Sequence, residues 1–153
     1  MRLIYVNMID MSMFLEDQPL GYLLSRVANA LRAEVTSAVL DPMNLAFPQY
    51  LCMRVLSKYP GRSNAELARD MNVSPQAMNM VLRGLEERGL VTRPASVSSG
   101  RSLPAQLTRE GIDLLKRTDS GVRAAEGKLM ANLTEDQRRE FKRTLVTLGT
   151  DSF

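Results

Sequence analysis

Apolar residues recur at helical spacing along most of the chain, and proline, glycine and capping residues cut that pattern into segments. Leu20, Leu23, Leu24, Val27, Leu31, Val35 and Val39 predict a first helix over 17–40. It ends at Asp41-Pro42, because proline removes a donor and restricts the residue before it. A second helix begins at Phe47-Pro48, buries Leu51, Val55 and Leu56, and stops at Tyr59-Pro60-Gly61. Ser63-Asn64-Ala65-Glu66 reads as a capping box that starts a short helix ending near Met71. After a turn at Asn72-Val73, Ser74 caps a further helix with Pro75 in its first position, and Gly89 closes it.

Past Gly89 the period changes. Leu90-Val91-Thr92-Arg93 and Leu103-Pro104-Ala105-Gln106-Leu107 flank the small polar stretch Ser96–Gly100, which predicts a hairpin. Pro104 marks its strand as an edge. Thr108 opens a long helix to about Met130, and Thr134 with Gln137 three residues on caps a last one with the stripe Phe141, Leu145, Leu148. The expected fold is mostly α with a small β-hairpin wing. Two short helices, a tight turn and a hairpin in that order make a winged helix-turn-helix, here flanked by helices on both sides.

The second helix of such a motif needs one face in the core and one free to enter a major groove. Met78, Val81, Leu82 and Leu85 supply the first. Gln76, Asn79, Met80 and Arg83 supply the second, at i, i+3, i+4 and i+7. Glutamine and asparagine can bond adenine bidentately, arginine can bond guanine or phosphate, and methionine can meet a thymine methyl. Ser63 and Ser74, at two helix N-termini, suit phosphate contacts, and Ala77 falls within the same surface. Arg101, just past the wing tip, is the candidate minor-groove arginine.

Charge sharpens this picture. The net +3 is unevenly spread: residues 1–53 carry −2, residues 54–109 carry +5, and residues 110–153 sum to zero. The excess sits in the module expected to meet phosphates. The chain has no histidine, no phosphate-cradling glycine loop and no cluster of metal-ligand residues, so no catalytic, metal or cofactor site is assigned. One cysteine allows no disulfide framework and fits a reducing, cytoplasmic setting. No apolar run approaches the roughly 20 residues of a membrane span. The apolar stretch 1–15 lacks the basic n-region and small-residue cleavage site of a signal peptide, and Asp10 interrupts it. It reads as a tail or an added strand packing on a partner, with Met8, Met11 and Met13 as alternative starts.

Ala65-Glu66-Leu67-Ala68, Ser74 to Leu85, Leu85-Glu86-Glu87-Arg88-Gly89-Leu90-Val91 and Leu107-Thr108-Arg109-Glu110-Gly111 together resemble the MarR (multiple antibiotic resistance regulator) family, over about residues 20–148. The resemblance implies a homodimer built on the flanking helices, with 17–45 and 110–153 as a discontinuous dimerisation region. Residues 46–109 become the DNA-binding lobe and 1–16 a tail. It further implies a pseudo-palindromic operator, usually repression, and release by a small phenolic or aromatic carboxylate effector. By position, Arg26, Phe47 and Arg101 match places that hold such ligands, with Tyr22 and Tyr50 adding polar contacts. Two departures stand out. Family wings usually carry Asp-Arg-Arg where this chain has Ser99-Gly100-Arg101, and Asn79-Met80 replaces a common Thr-Arg. Two other functions remain in play: a regulator responding to oxidation at Cys52, and a winged-helix interaction module without sequence specificity. Cys52, between Leu51 and Met53, reads as a core residue.

Overall fold

The computed structural model describes residues 15–94 and 104–150. Helix α1 spans Leu20–Val35, α2 Phe47–Lys58, α3 Asn64–Asp70 and α4 Pro75–Glu87. Strands β1 (Val91–Thr92) and β2 (Gln106–Leu107) follow, then α5 (Arg109–Leu129) and α6 (Glu135–Thr150). The fold is the expected one, mostly α with a two-stranded antiparallel wing base.

The caps explain the boundaries. The Ser63 and Glu66 side chains satisfy each other's backbone N–H groups, at 3.3 and 2.8 Å. The Ser74 hydroxyl accepts from Ala77 N, Thr108 from Gly111 N, and Thr134 exchanges bonds with Gln137. Gly89 takes φ +66° just past α4, a left-handed conformation that other residues adopt only at a cost.

Two expectations are corrected. The first helix does not run regularly to Leu40: after Val35 it widens into a π turn over Thr36–Leu40 and tightens into a 3₁₀ turn over Asp41–Met43. Leu51 is not buried but 37% exposed, and α2 turns Tyr50, Cys52, Met53 and Leu56 inward instead. Pro104 does precede an edge strand, because the sheet has two strands, paired through Val91↔Leu107 and Thr92↔Gln106, with a single further bridge from Ala105 to Arg62. The proline is tolerated because it precedes the first paired residue.

One continuous core joins the elements. Leu56, Leu67, Met78, Leu82, Leu85, Leu90, Val91 and Ala105 fill the lobe around α2–α4 and the wing base. Val35, Val39, Leu40, Leu114, Leu115 and Val122 join the end of α1 to α5. By contrast, Leu20, Leu24 and Val27 on α1, and Leu145, Val146 and Leu148 on α6, are exposed in the single chain. An apolar groove of about 300 Å³ runs between these helices and the end of α5.

Candidate nucleic-acid interface

Helices α3 and α4 are held at a fixed angle by short-range chemistry. Asn72 takes a left-handed φ of 51° between them, and Val73 N donates back to Ala68 O at 3.0 Å. Asn64 Nδ2 donates to Pro75 O at 3.1 Å, tying the start of α3 to the start of α4. Glu66 is held below the usual carboxylate range, first by the Ser63 backbone N–H, then by the Ser63 side chain and Arg62. It therefore stays ionised as a cap.

On α4, Met78, Leu82 and Leu85 are fully buried, with Val81 partly so. At 100° per residue, Gln76, Asn79, Met80 and Arg83 fall within an arc of about 100° on the opposite side. All four are exposed, Met80 to 75%, and Ala77 is exposed beside them. A methionine so open to water, on a helix whose other face is sealed, is an unspent apolar contact. Ser74 is exposed and Ser63 half-buried. Each hydroxyl accepts one backbone N–H and so keeps its own proton to donate to an anion.

Ion pairing separates committed from free cations. Arg54 pairs with Asp119, Arg62 with Glu66 and Asp70, and Arg93 with Glu86. Arg69, Arg83 and Arg109 have no acid partner among the described residues. The Arg93–Glu86 pair is bidentate, at 3.0 and 2.6 Å, and fastens the strand leaving α4 to α4 itself. The wing tip, including Ser99, Gly100 and Arg101, lies outside the described residues, as does the segment 1–14. One acid interrupts the reading surface: Glu87, exposed and four residues after Arg83, projects from the same arc.

The positions proposed for a ligand form two groups. Tyr22 and Arg26 are exposed on α1 and contact each other, guanidinium to ring centroid at 5.9 Å. Phe47 and Tyr50 meet edge to face at 6.3 Å at the start of α2. The cation over Phe47 is Arg32, at 4.7 Å from the ring centroid, a residue that sequence reasoning missed. Arg26 and Arg32 are six positions apart and so face about 120° away from one another. Tyr50 donates to Asp119 at 3.0 Å, and Arg54 donates to the other oxygen at 2.9 Å. Burial, then the Asp119 carboxylate, pushes the Tyr50 phenol up to about 12. It is therefore a neutral donor committed to Asp119. Cys52 is fully buried, and burial pushes its thiol up to about 12, which removes the thiolate on which oxidant sensing depends.

Similarity to known proteins agrees with this arrangement. The MarR family model matches residues 45–103. The HTH-type transcriptional repressor Rv2887 of Mycobacterium tuberculosis is 59% identical over 136 residues, covering 89% of this chain and 97% of that protein. Its crystal structure in complex with DNA has a TM-score of 0.78 at 52% identity, covering 88% of this chain and all of that one. Its complex with salicylic acid has a TM-score of 0.73 at 57% identity, covering 88% and 98%. The chain belongs to the MarR family of winged helix-turn-helix transcriptional regulators.

Proposed function

We propose that this chain is a homodimeric transcriptional repressor that binds a pseudo-palindromic operator and is released by a small aromatic carboxylate. The observation that carries the DNA reading is α4: one face fully buried, the other an exposed row of Gln76, Asn79, Met80 and Arg83 with no acid on Arg83. Gln76 and Asn79 read adenines, Arg83 a guanine or a phosphate, and Met80 a thymine methyl. Ser63, Ser74 and the backbone at Ala77 position the helix on phosphates, and Arg101 serves the minor groove. A relative 59% identical is a repressor by name and has been crystallised with DNA.

Dimerisation through 17–45 and 110–153 accounts for the exposed apolar residues of α1 and α6, which a monomer would leave in water. A lobe of 46–109 then occurs twice, one copy per half-site. Among the described residues no helix is long and apolar enough to cross a membrane, and a cytoplasmic setting suits a DNA-binding regulator.

For the effector, the exposed Arg32 over Phe47 offers a cation for a carboxylate and a ring for a ring. Arg26, Tyr22, Tyr50 and Arg101 complete the positions assigned to it. The same mycobacterial relative has been crystallised with salicylic and p-aminosalicylic acid. The test is selection of bound sequences from random DNA, repeated with salicylate. A palindrome that is lost when salicylate is added supports the reading. Equal binding to palindromic and scrambled DNA favours a module without sequence specificity.

A further inference from the structure

The connection from α1 to α2 departs from regular helix three times in succession. It widens at Thr36–Leu40, tightens at Asp41–Met43, and turns left-handed at Asn44, with φ 51° and ψ 44°. This is the joint between the region proposed to dimerise and the lobe proposed to bind DNA. Wide turns of this kind recur where a helix must yield locally.

Helix α4 is fastened to that joint at its C-terminal end. Arg88, its C-cap, donates from Nη2 to Met43 O at 3.1 Å and from Nη1 to Asn44 O. One turn earlier α4 passes close to α2: a Cβ on Gly84 would fall 2.9 Å from Gln49 Nε2. The same Gln49 accepts the Ala46 N–H at 2.9 Å. Between these contacts lies a polar cavity of about 390 Å³, bordered by Asp41, Asn44, Gln49 and Arg88. The corner is thus held by hydrogen bonds across a polar space. Leu40 and Leu45 anchor the joint in the core, whereas the Met43 and Asn44 carbonyls between them meet Arg88 beside the polar space. Phe47, under Arg32, is the first residue of α2 and lies three residues from Asn44.

We infer that Arg88 is the positioning residue through which occupancy at Phe47 reaches the reading face of α4. The inference rests on the effector reading above. A ligand ring taking a place beside Phe47 turns the Met43 and Asn44 carbonyls, and these carry the guanidinium with them. Because Arg88 caps a rigid helix, its movement tilts the whole row from Gln76 to Arg83. The quantity at stake is the ratio of operator affinities without and with effector, which by linkage equals the ratio of effector affinities off and on DNA.

The experiment uses the full chain and its Arg88→Gln and Arg88→Lys variants. Kd for the selected palindrome is measured with and without saturating salicylate, and salicylate binding to the free protein is measured by calorimetry. The wild-type ratio is expected in the usual range of about 5- to 150-fold, and Arg88→Gln is expected to bring it below about twofold while salicylate still binds. Arg88→Lys is expected to fall between, because an ammonium lacks the fork that reaches two carbonyls. If Arg88→Gln does not fold, Arg88→Lys carries the test. A folded variant that binds salicylate and keeps the wild-type ratio overturns the inference and leaves the effector reading standing. A wild-type ratio of one overturns the effector reading and the coupling with it.

Discussion

Replacing Arg83 with alanine separates DNA recognition from folding more cleanly than any other single change on α4. The side chain is exposed, has no acid partner among the described residues, and sits opposite the buried Met78, Leu82 and Leu85. Its removal opens no cavity and orphans no carboxylate, so stability is expected to stay within about 0.5 kcal/mol. Binding is a different matter. A bidentate contact to guanine is worth about 1–3 kcal/mol, and a dimer makes it twice, so the loss is about 2–6 kcal/mol, or about 30-fold to 10⁴-fold in Kd. Titration of a labelled palindrome at several salt concentrations tells base from phosphate. A base contact weakens the selected sequence more than a scrambled one. A phosphate contact weakens both alike and lowers the salt slope by about one per subunit. Asn79→Ala is the companion, expected to relax selection at one base pair of each half-site. Unchanged affinity and unchanged selectivity in both variants, with the dimer intact, refute the assignment of this face.

Three further outcomes follow from the same geometry. Glu87→Gln, which removes the acid on the Arg83 arc, is expected to tighten binding to any duplex by a few-fold and to steepen the salt dependence, seen in the same titrations. Gly111→Ala would place a Cβ 2.1 Å from Leu90 O, so the start of α5 must move off the wing base, costing about 1–3 kcal/mol, read as a lowered urea midpoint. Tyr50 and Cys52 both hold their protons more tightly when folded, at about 12 against 10.0 and 9.0 unfolded. Their stabilisation is complete below pH 9 and is lost as pH rises toward 12, so Tyr50→Phe with Cys52→Ala is expected to flatten the alkaline fall in Tm, and an unaltered fall contradicts the burial argument.

What could be read from the sequence was whatever local chemistry decides. Ser63, Ser74, Thr108 and Thr134 each cap the helix expected of them, and the apolar stripe of α4 is buried where its spacing placed it. What could not be read depends on how elements meet. Leu51 looks like core by spacing, but the tilt of α2 gives the inward positions to Tyr50, Cys52 and Met53. The bridge from Ala105, beside Pro104, to Arg62, more than forty residues away, has no local signal in the sequence. The sequence pointed to Arg26, whereas Arg32, about 120° around α1 from it, is the cation over Phe47. That pairing depends on how the chain turns between Thr36 and Asn44 before α2 begins, which no local signal gives.

The apolar spacing of α1 holds a further lesson, because its two halves have different fates. Val35 and Val39, late in the repeat, are buried within the chain against α5, whereas Leu20, Leu24 and Val27 stay open beside the groove to α6. A repeat that continues unbroken across both halves asks for burial throughout, and one copy of the chain supplies it only at the C-terminal end. The open half costs about 25 cal/mol for each Å² of apolar surface left in water, a strong drive for a second copy to cover it. If a second copy covers that half, as proposed, dimerisation and DNA binding are joined by the same helix. α1 leads from the surface awaiting a partner to Phe47, and Phe47 leads through Asn44 and Arg88 to α4. Under the proposed coupling, an effector that moves the joint would alter the spacing of two reading helices at once, and an operator half-site spacing tolerates little change. Small movements at the joint would then suffice for release.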